Sequence, residues 1–456
     1  MSISSVGVGS GILTQDVMDQ LRAADESSRI TPIDLNLANE GDKKDALEII
    51  DANMTNLTDA INELKSHALF GERSSDVTGT AVEVVAAANS DIQDFTLTVG
   101  NLATKQIEES GAFTASTETI ANAAGSMNLN IDGVDFTIDY DATTTLNDFK
   151  NAINSVAGEK VDATVVQINS GEFRLFVSSA DTGTTQNITM TDNSAALKDT
   201  RLTIGLTALQ SGVDANFTFN GQAITRTSNN VSDLVTGLDI TLKEVGTSSV
   251  SVAQNRDTIM EKFDSFVEHY NAAITELNNM TKPSTESGER GIFSSESTIK
   301  GMKSSIEDMI SGVGGGVGSL FDYGFNVDKD GVMTLNKDTL NKALDDNSTN
   351  VEAFFAGGTY TNADLTTTVV DGAFVDMSTI IEGYTKYNAT LDQFKTSITE
   401  SISTLEERKI SVTEQLDDKY AILKKQFIAY DLMISRFNSA SSMFTQMAEA
   451  QSAASN

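Results

Sequence analysis

Apolar residues recur at helical spacing near both ends of the chain, and alternating runs fill the stretch between them. Near the C-terminus the repeat passes through Tyr384, Tyr387, Leu391, Phe394, Ile398, Ile402 and Leu405, then Val412, Leu416, Tyr420, Leu423, Phe427, Tyr430, Ile434 and Phe437. Steps of three and four dominate, with extra fours near Ile398 and Leu416, which is a heptad seam with stutters. No Gly or Pro lies between Tyr384 and Asn456. The spacing predicts one helix of about 60 residues, about 90 Å long at 1.5 Å per residue, which needs a partner. Leu47, Ile50, Met54, Leu57, Ile61, Leu64 and Ala68 repeat 3-4-3-4-3-4, and Gly71 follows as a helix stop. A third stripe, Ile259, Phe263, Phe266, Tyr270, Ile274 and Leu277, ends before Lys282-Pro283. The expected arrangement packs Leu47–Ala68 along the helix containing Tyr384–Phe437, with Ile259–Leu277 beside them.

Between these stripes the period changes to two. Phe95–Val99, Met127–Tyr140, Val161–Ile168, Phe173–Val177, Phe217–Phe219 and Ile240–Val245 read as half-buried strands. Asp132-Gly133 and Asn220-Gly221 read as hairpin turns. The fold class is therefore α+β and multidomain: an antiparallel helical coiled-coil bundle formed by both chain ends, with inserted β-rich head domains. The expected divisions are a helical domain with a β-hairpin (41–70 plus 257–440), one β-rich domain (71–110 plus 205–256) and a second (111–204). A terminal leg segment, 1–40, disordered or helical, joins 440–456. Both extreme ends are short of large apolar side chains and are expected to stay mobile in the isolated subunit. The few that are present, Ile3, Val6, Val8, Ile12, Leu13 and Met18 at one end and Met443, Phe444 and Met447 at the other, are the candidate assembly contacts.

Charge separates these regions. The chain of 456 residues carries a net −34, with 31 Lys plus Arg against 65 Asp plus Glu. Residues 71–255 hold nine basic and 23 acidic side chains, whereas 380–456 hold eight and ten. The acid therefore sits on the β-rich middle. Such a balance argues against nucleic acid and against anionic membrane surfaces. Cysteine is absent, which excludes disulfides and thiolate metal sites. Met1–Gly11 lacks the basic and apolar regions of a cleavable signal, and no window holds 18 consecutive apolar residues.

No catalytic constellation stands out. His67 and His269 each lie beside a helical stripe, with no second His nearby. Asn326-Val-Asp328-Lys-Asp330-Gly331 resembles the start of a calcium loop, but its twelfth position is Lys337, where a bidentate Glu is required. A hairpin turn at Gly331 is the simpler reading. The glycine run Gly312–Ser319 lacks the Gly-Lys-Ser/Thr ending of a phosphate loop and reads as a flexible loop. The expectation is no enzyme, no metal and no cofactor.

Several strings carry a resemblance. Asp257–Ile274, with Phe266-Val-Glu-His-Tyr270-Asn271, is similar to a helix of the flagellar hook-associated protein 2 family. Gly291–Ile299, Tyr323–Leu335 and Asn350–Gly357 resemble that family's following motifs, in order, and Leu416–Phe444 resembles its terminal helix. Gly9-Ser10-Gly11-Ile12-Leu13 also fits. Met127–Thr191 looks like a module shared by flagellins and hook-associated proteins. One departure is Tyr430, where the family usually has Met before the Asp.

The resemblance implies a secreted scaffold at the tip of a bacterial flagellar filament. It implies export through the flagellar apparatus without a cleaved signal, and a homo-oligomeric ring, typically of five subunits. It also implies contact with flagellin and with the hook–filament junction protein, binding of an export chaperone through the C-terminal region, and an adhesin role in some relatives. The stripes supply the candidate coiled-coil core: Leu47, Ile50, Met54, Leu57, Ile61, Leu64, Ile259, Phe263, Tyr270, Leu391, Phe394, Ile398, Leu405, Leu416, Leu423, Phe427 and Ile434. Flagellin itself, a junction protein and a free-standing extracellular adhesin remain alternatives.

Overall fold

The computed structural model describes residues 14–203, 206–284 and 290–454. The chain divides into two compact units, Met1–His67 with Ile259–Asn456, and Ala68–Thr258.

The Ala68–Thr258 unit is β-rich and holds two hydrophobic cores. A five-stranded sheet runs in the order Arg73–Thr78, Gly246–Gln254, Gln93–Asn101, Ala215–Phe219 and Gln222–Arg226, all antiparallel. Strict alternation places Phe95, Leu97 and Val99 on the inner face. There they pack with Val84, Leu238, Ile240 and Val250. Asn220 and Gly221 both take positive φ, +48° and +83°, which suits the two-residue turn between the last two strands. The second core lies among a four-stranded sheet, a three-stranded sheet and the helix Leu146–Ala157. That helix opens with a capping box between Thr145 and Asp148 and buries Leu146, Phe149, Ile153 and Ala157 along one face. Asp132-Gly133 makes the hairpin turn between Gly125–Ile131 and Val134–Tyr140.

The other unit is mostly helical. Its centre is an aromatic cluster from four elements. Phe263 and Phe266 come from the helix Arg256–Thr281, Phe325 from a short strand, Phe355 from the helix Lys337–Ala356 and Phe374 from the helix Ala373–Thr385. Ring centroids lie 4.8 Å apart for Phe263–Phe355 and 4.9 Å for Phe266–Phe374, in edge-on geometry. Tyr270 is fully buried, and burial pushes its hydroxyl pKa up. Beside it the Asn271 amide donates to the Met333 carbonyl at 2.8 Å and accepts from the Met333 N–H at 2.7 Å, standing in for a further strand beside the Phe325–Val327/Met333–Leu335 hairpin. Gly291 lies against the end of the Arg256–Thr281 helix, where a Cβ would come 2.3 Å from the Met280 oxygen. Phe293, next but one, buries its ring 5.9 Å from Phe394.

Several sequence expectations change. Tyr384 and Tyr387 do not belong to the long helix. Ala373–Thr385 ends before a turn, and a separate helix runs Thr390–Ala454. Asn388 takes φ +60° in that turn and donates its N–H to Asp392, so an asparagine makes the break that glycine or proline would otherwise signal. Tyr387 is 88% exposed. Ala68 is exposed too, because Thr31–Leu64 ends four residues earlier and the buried residues of the next turn are Leu69 and Phe70. The described part of the terminal leg segment, expected disordered or helical, forms the helix Gln15–Arg29 and the start of Thr31–Leu64, with the first helix capped by Thr14. Ser439 onward is helical as far as Ala454. The glycine run is a packed turn and not an open loop: a Cβ on Gly314 would meet the Gly318 oxygen at 2.3 Å and the Phe354 ring at 3.0 Å.

Candidate assembly surface

The two chain ends pair as antiparallel helices. Moving up the N-terminal side from Arg22 to Asp34, the partners on the Thr390–Ala454 helix descend. Arg22 reaches Asp417 (2.6 Å), Arg29 reaches Gln415 (2.7 Å) and Asp34 meets Lys409 (2.7 Å). Ile30, which ends one helix and precedes the next, stays in right-handed helical conformation, so the two N-terminal helices run on with only a jog at Thr31-Pro32. Further up, Leu47 and Asp51 line one crevice with Leu391, Asp392 and Lys395. Above that, Lys65 donates to Ser378 and Glu63 pairs with Lys262, so the upper stripe is shared among three helices, not given to one.

Apolar packing in the lower pair is thin. Met18, Leu416 and Tyr420 form one small buried cluster, with Ile30, Val412, Leu423 and Phe427 half-buried around it. A charged clasp surrounds it. Asp25 accepts from Lys419 Nζ at 2.5 Å and from the Tyr420 hydroxyl at 2.7 Å, while Arg22 also holds Glu26. Lys419, then Tyr420, hold the Asp25 carboxyl below its ordinary range. Desolvation first, and the Asp25 contact second, push the Tyr420 hydroxyl up to about 12.

From Tyr430 on, the large apolar side chains of the long helix are exposed, although Asp431 is buried. Tyr430, Met433 and Ile434 are exposed, Phe437 is 74% exposed, and Met443, Phe444 and Met447 follow in the same state. Phe437, Ala440, Ser441, Phe444, Thr445 and Ala448 line one groove, apolar but for Ser441 and Thr445. Of the candidate core residues, Leu47, Ile50, Met54, Leu57, Ile61, Leu64, Ile259, Phe263, Tyr270, Leu391, Ile398 and Leu416 are buried, and Phe394, Leu405, Leu423 and Phe427 are half-buried. Ile434 is not: it is 36% exposed, beyond the part of the seam that Met18 and Ile30 close. Of the candidate contacts, Met18 is 3% exposed and spent on the seam. Ile3, Val6, Val8, Ile12 and Leu13 lie outside the described residues.

The calcium-like turn is occupied by its own backbone. Asp328 accepts the N–H groups of Asp330 and Val332, both at 2.9 Å, and these hold its carboxyl below the ordinary range, Val332 contributing most. Lys337 turns away to Asp264 at 2.5 Å. His67 contacts Glu352 at 2.7 Å. Among the described residues no three His, Asp or Glu side chains gather as a metal site, and no helix is long and apolar enough to cross a membrane.

Models of the N- and C-terminal regions of flagellar hook-associated protein 2 match residues 10–106 and 212–439, the second alone spanning half of the chain. The chain belongs to the flagellar hook-associated protein 2 family. Flagellar hook-associated protein 2 of Escherichia coli is 26% identical over 476 residues, covering 98% of each chain. That of Helicobacter pylori is 31% identical over 252 residues, 53% of this chain, and the match spans only 37% of that longer relative. The crystal structure of the D1-D2-D3 domains of the flagellar cap protein FliD from Escherichia coli superimposes with a TM-score of 0.60 at 21% identity, over 78% of this chain and 99% of that one. At that identity the likeness is one of fold. The hook-associated protein 2 motifs thus find a structural explanation here: Phe263, Phe266, Asn271, Phe325 and Phe355 build the aromatic cluster and its hairpin. What the sequence reading missed is the clasp. Its signal was present, since Arg22, Asp25 and Arg29 recur at steps of three and four on one helical face.

Proposed function

We propose that this protein caps the flagellar filament: copies assemble at the tip, promote the folding and polymerisation of flagellin, and stop flagellin from leaking away. It acts as a structural scaffold, not as an enzyme. The observation that carries this reading is the helix Thr390–Ala454, paired with the N-terminal helices above Phe427 and carrying exposed apolar side chains from Tyr430 to Met447. A strip rich in Met and Phe packs adaptably against changing neighbours, which suits a contact that must let go as each flagellin is added. Membership of the hook-associated protein 2 family, and the fold shared with the flagellar cap protein FliD of Escherichia coli, support it. On this reading the ring has five copies, the chain leaves by the flagellar export apparatus without a cleaved signal, and the hook–filament junction protein is its first neighbour. The exposed C-terminal strip then serves an export chaperone beforehand. Deleting the gene tests the proposal: unpolymerised flagellin should appear in the medium and filaments should be missing. Filaments of ordinary length in the deletion strain would refute it.

A further inference from the structure

The four-stranded sheet of the β-rich unit runs in the order Thr207–Gln210, Lys105–Glu109, Glu172–Thr182, Val161–Asn169, with every pair antiparallel. Among the described residues neither outer strand pairs with a further strand. All four residues of Thr207–Gln210 are exposed, with Leu209 at 61%, and Val166 and Ile168 are exposed on the opposite edge. The Asn154 amide occupies both backbone groups of Ala163, at 2.7 and 2.8 Å. By alternation, the next outward-facing N–H and C=O groups are those of Val165 and Gln167. Neither edge carries Lys or Pro, and each holds one register irregularity, between Gln167 and Asn169 on one side and between Ala208 and Gln210 on the other.

We infer that these two edges join neighbouring copies of this chain head to tail, Val165–Asn169 of one copy pairing with Thr207–Gln210 of the next. The inference rests on the self-assembly proposed above. Two features select a second copy as the occupant. The sheet has an even number of antiparallel strands, so the first strand of a following copy arrives antiparallel to the last strand of the preceding one, and the ladder continues without reversal. Charge selects the same contact. The unit Ala68–Thr258 has ten basic and 24 acidic side chains, a balance of −14, so copies repel over most of its surface. Ala163–Asn169 and Leu206–Gly212 are both free of charge. A contact between different patches is heterologous and closes into a ring when its rotation allows.

Single-edge variants of the full chain test this. Gln167→Pro removes an outward N–H that the fold does not use, and Leu209→Lys places a charge on the other edge. Sedimentation velocity should show each variant as a monomer at a concentration where the wild type assembles. Mixing the two should give dimers and nothing larger, because each supplies the one edge the other lacks. Val166→Lys repeats the first block without proline, and circular dichroism checks that each variant is folded. Variants that keep the wild-type size, or a mixture that stays monomeric, would overturn the edge contact and leave the cap reading standing. A wild type that grows filaments while remaining monomeric at high concentration would overturn it as well. A wild type that neither assembles nor supports filaments would instead remove the cap reading.

Discussion

The helix Thr31–Leu64 passes through two environments, and comparing them shows what sets the strength of a helix pair. From Ala46 to Leu64, eight side chains are buried: Ala46, Leu47, Ile50, Met54, Leu57, Ala60, Ile61 and Leu64. From Gln15 to Asp45, counting both N-terminal helices, the buried ones are Met18 and Ile33. The long helix, Thr390–Ala454, lies along the lower stretch and begins beside Leu47 and Asp51. The difference is company. Above, the helices Ala373–Thr385 and Arg256–Thr281 close over the seam. Below, few apolar side chains are enclosed, Leu35 is left exposed, and ion pairs take over from packing. Exposed ion pairs contribute little, roughly 0–1 kcal/mol each, so the lower pair is held far more weakly than the upper bundle.

The comparison breaks first if Leu57→Asp is tolerated. That change buries an unpaired carboxylate where Leu57 is wholly enclosed, and should cost about 3–5 kcal/mol. An unchanged denaturation midpoint would show that the upper seam is not sealed. Met18→Ala removes the only large side chain that the first helix buries. About 2 kcal/mol is expected, at the low end for such a truncation because the site is shallow. The loss should appear as faster hydrogen exchange across Gln15–Arg29, with the upper bundle unaffected. A global drop in stability would mean that the two stretches unfold together.

A smaller effect is expected from pH. The Asp25 carboxyl is depressed in the folded chain, so its contribution is present above its ordinary pKa of 3.8 and is lost as pH falls through the folded value. The Tyr420 hydroxyl is raised, so its contribution is present below 10 and is lost as pH rises toward about 12. Exchange in Gln15–Arg29 should therefore accelerate at both extremes, and Asp25→Asn should remove most of the acid limb. A flat profile would mean that the clasp holds nothing. The smallest stability change belongs to Phe437→Ser, within about 0.5 kcal/mol because the side chain is already in water. Filament growth should nevertheless fall, and normal growth would separate the strip from assembly.

These regions were not equally legible in the sequence. The upper stripe was readable because three neighbours enclose it, so every third or fourth residue must be apolar. The aromatic cluster was visible only as three separate stripes and strings. Nothing local brings Phe263, Phe325 and Phe355 together, since that is decided by how the hairpin and helices fold back. The lower seam misled in the other direction. Tyr430, Ile434 and Phe437 keep the repeat as faithfully as Leu416 and Leu423 do, yet they face water. Periodicity records that a face is apolar, not which molecule covers it. The break at Asn388 was hidden because asparagine reaches the left-handed region without being a glycine.

The clasp joins residues separated by about four hundred positions, 395 between Arg22 and Asp417 and 394 between Asp25 and Lys419. A chain made from its N-terminus therefore finishes its first helix long before that helix has a mate. At roughly 5–20 residues per second the wait is about 20–80 s, longer than most local folding events take. Through that interval the β-rich unit can complete itself, whereas Met18 and Arg22 have nothing to grip. Closure of the lower pair thus waits on the arrival of Lys409–Phe427: a copy stalled before that segment presents a loose first helix.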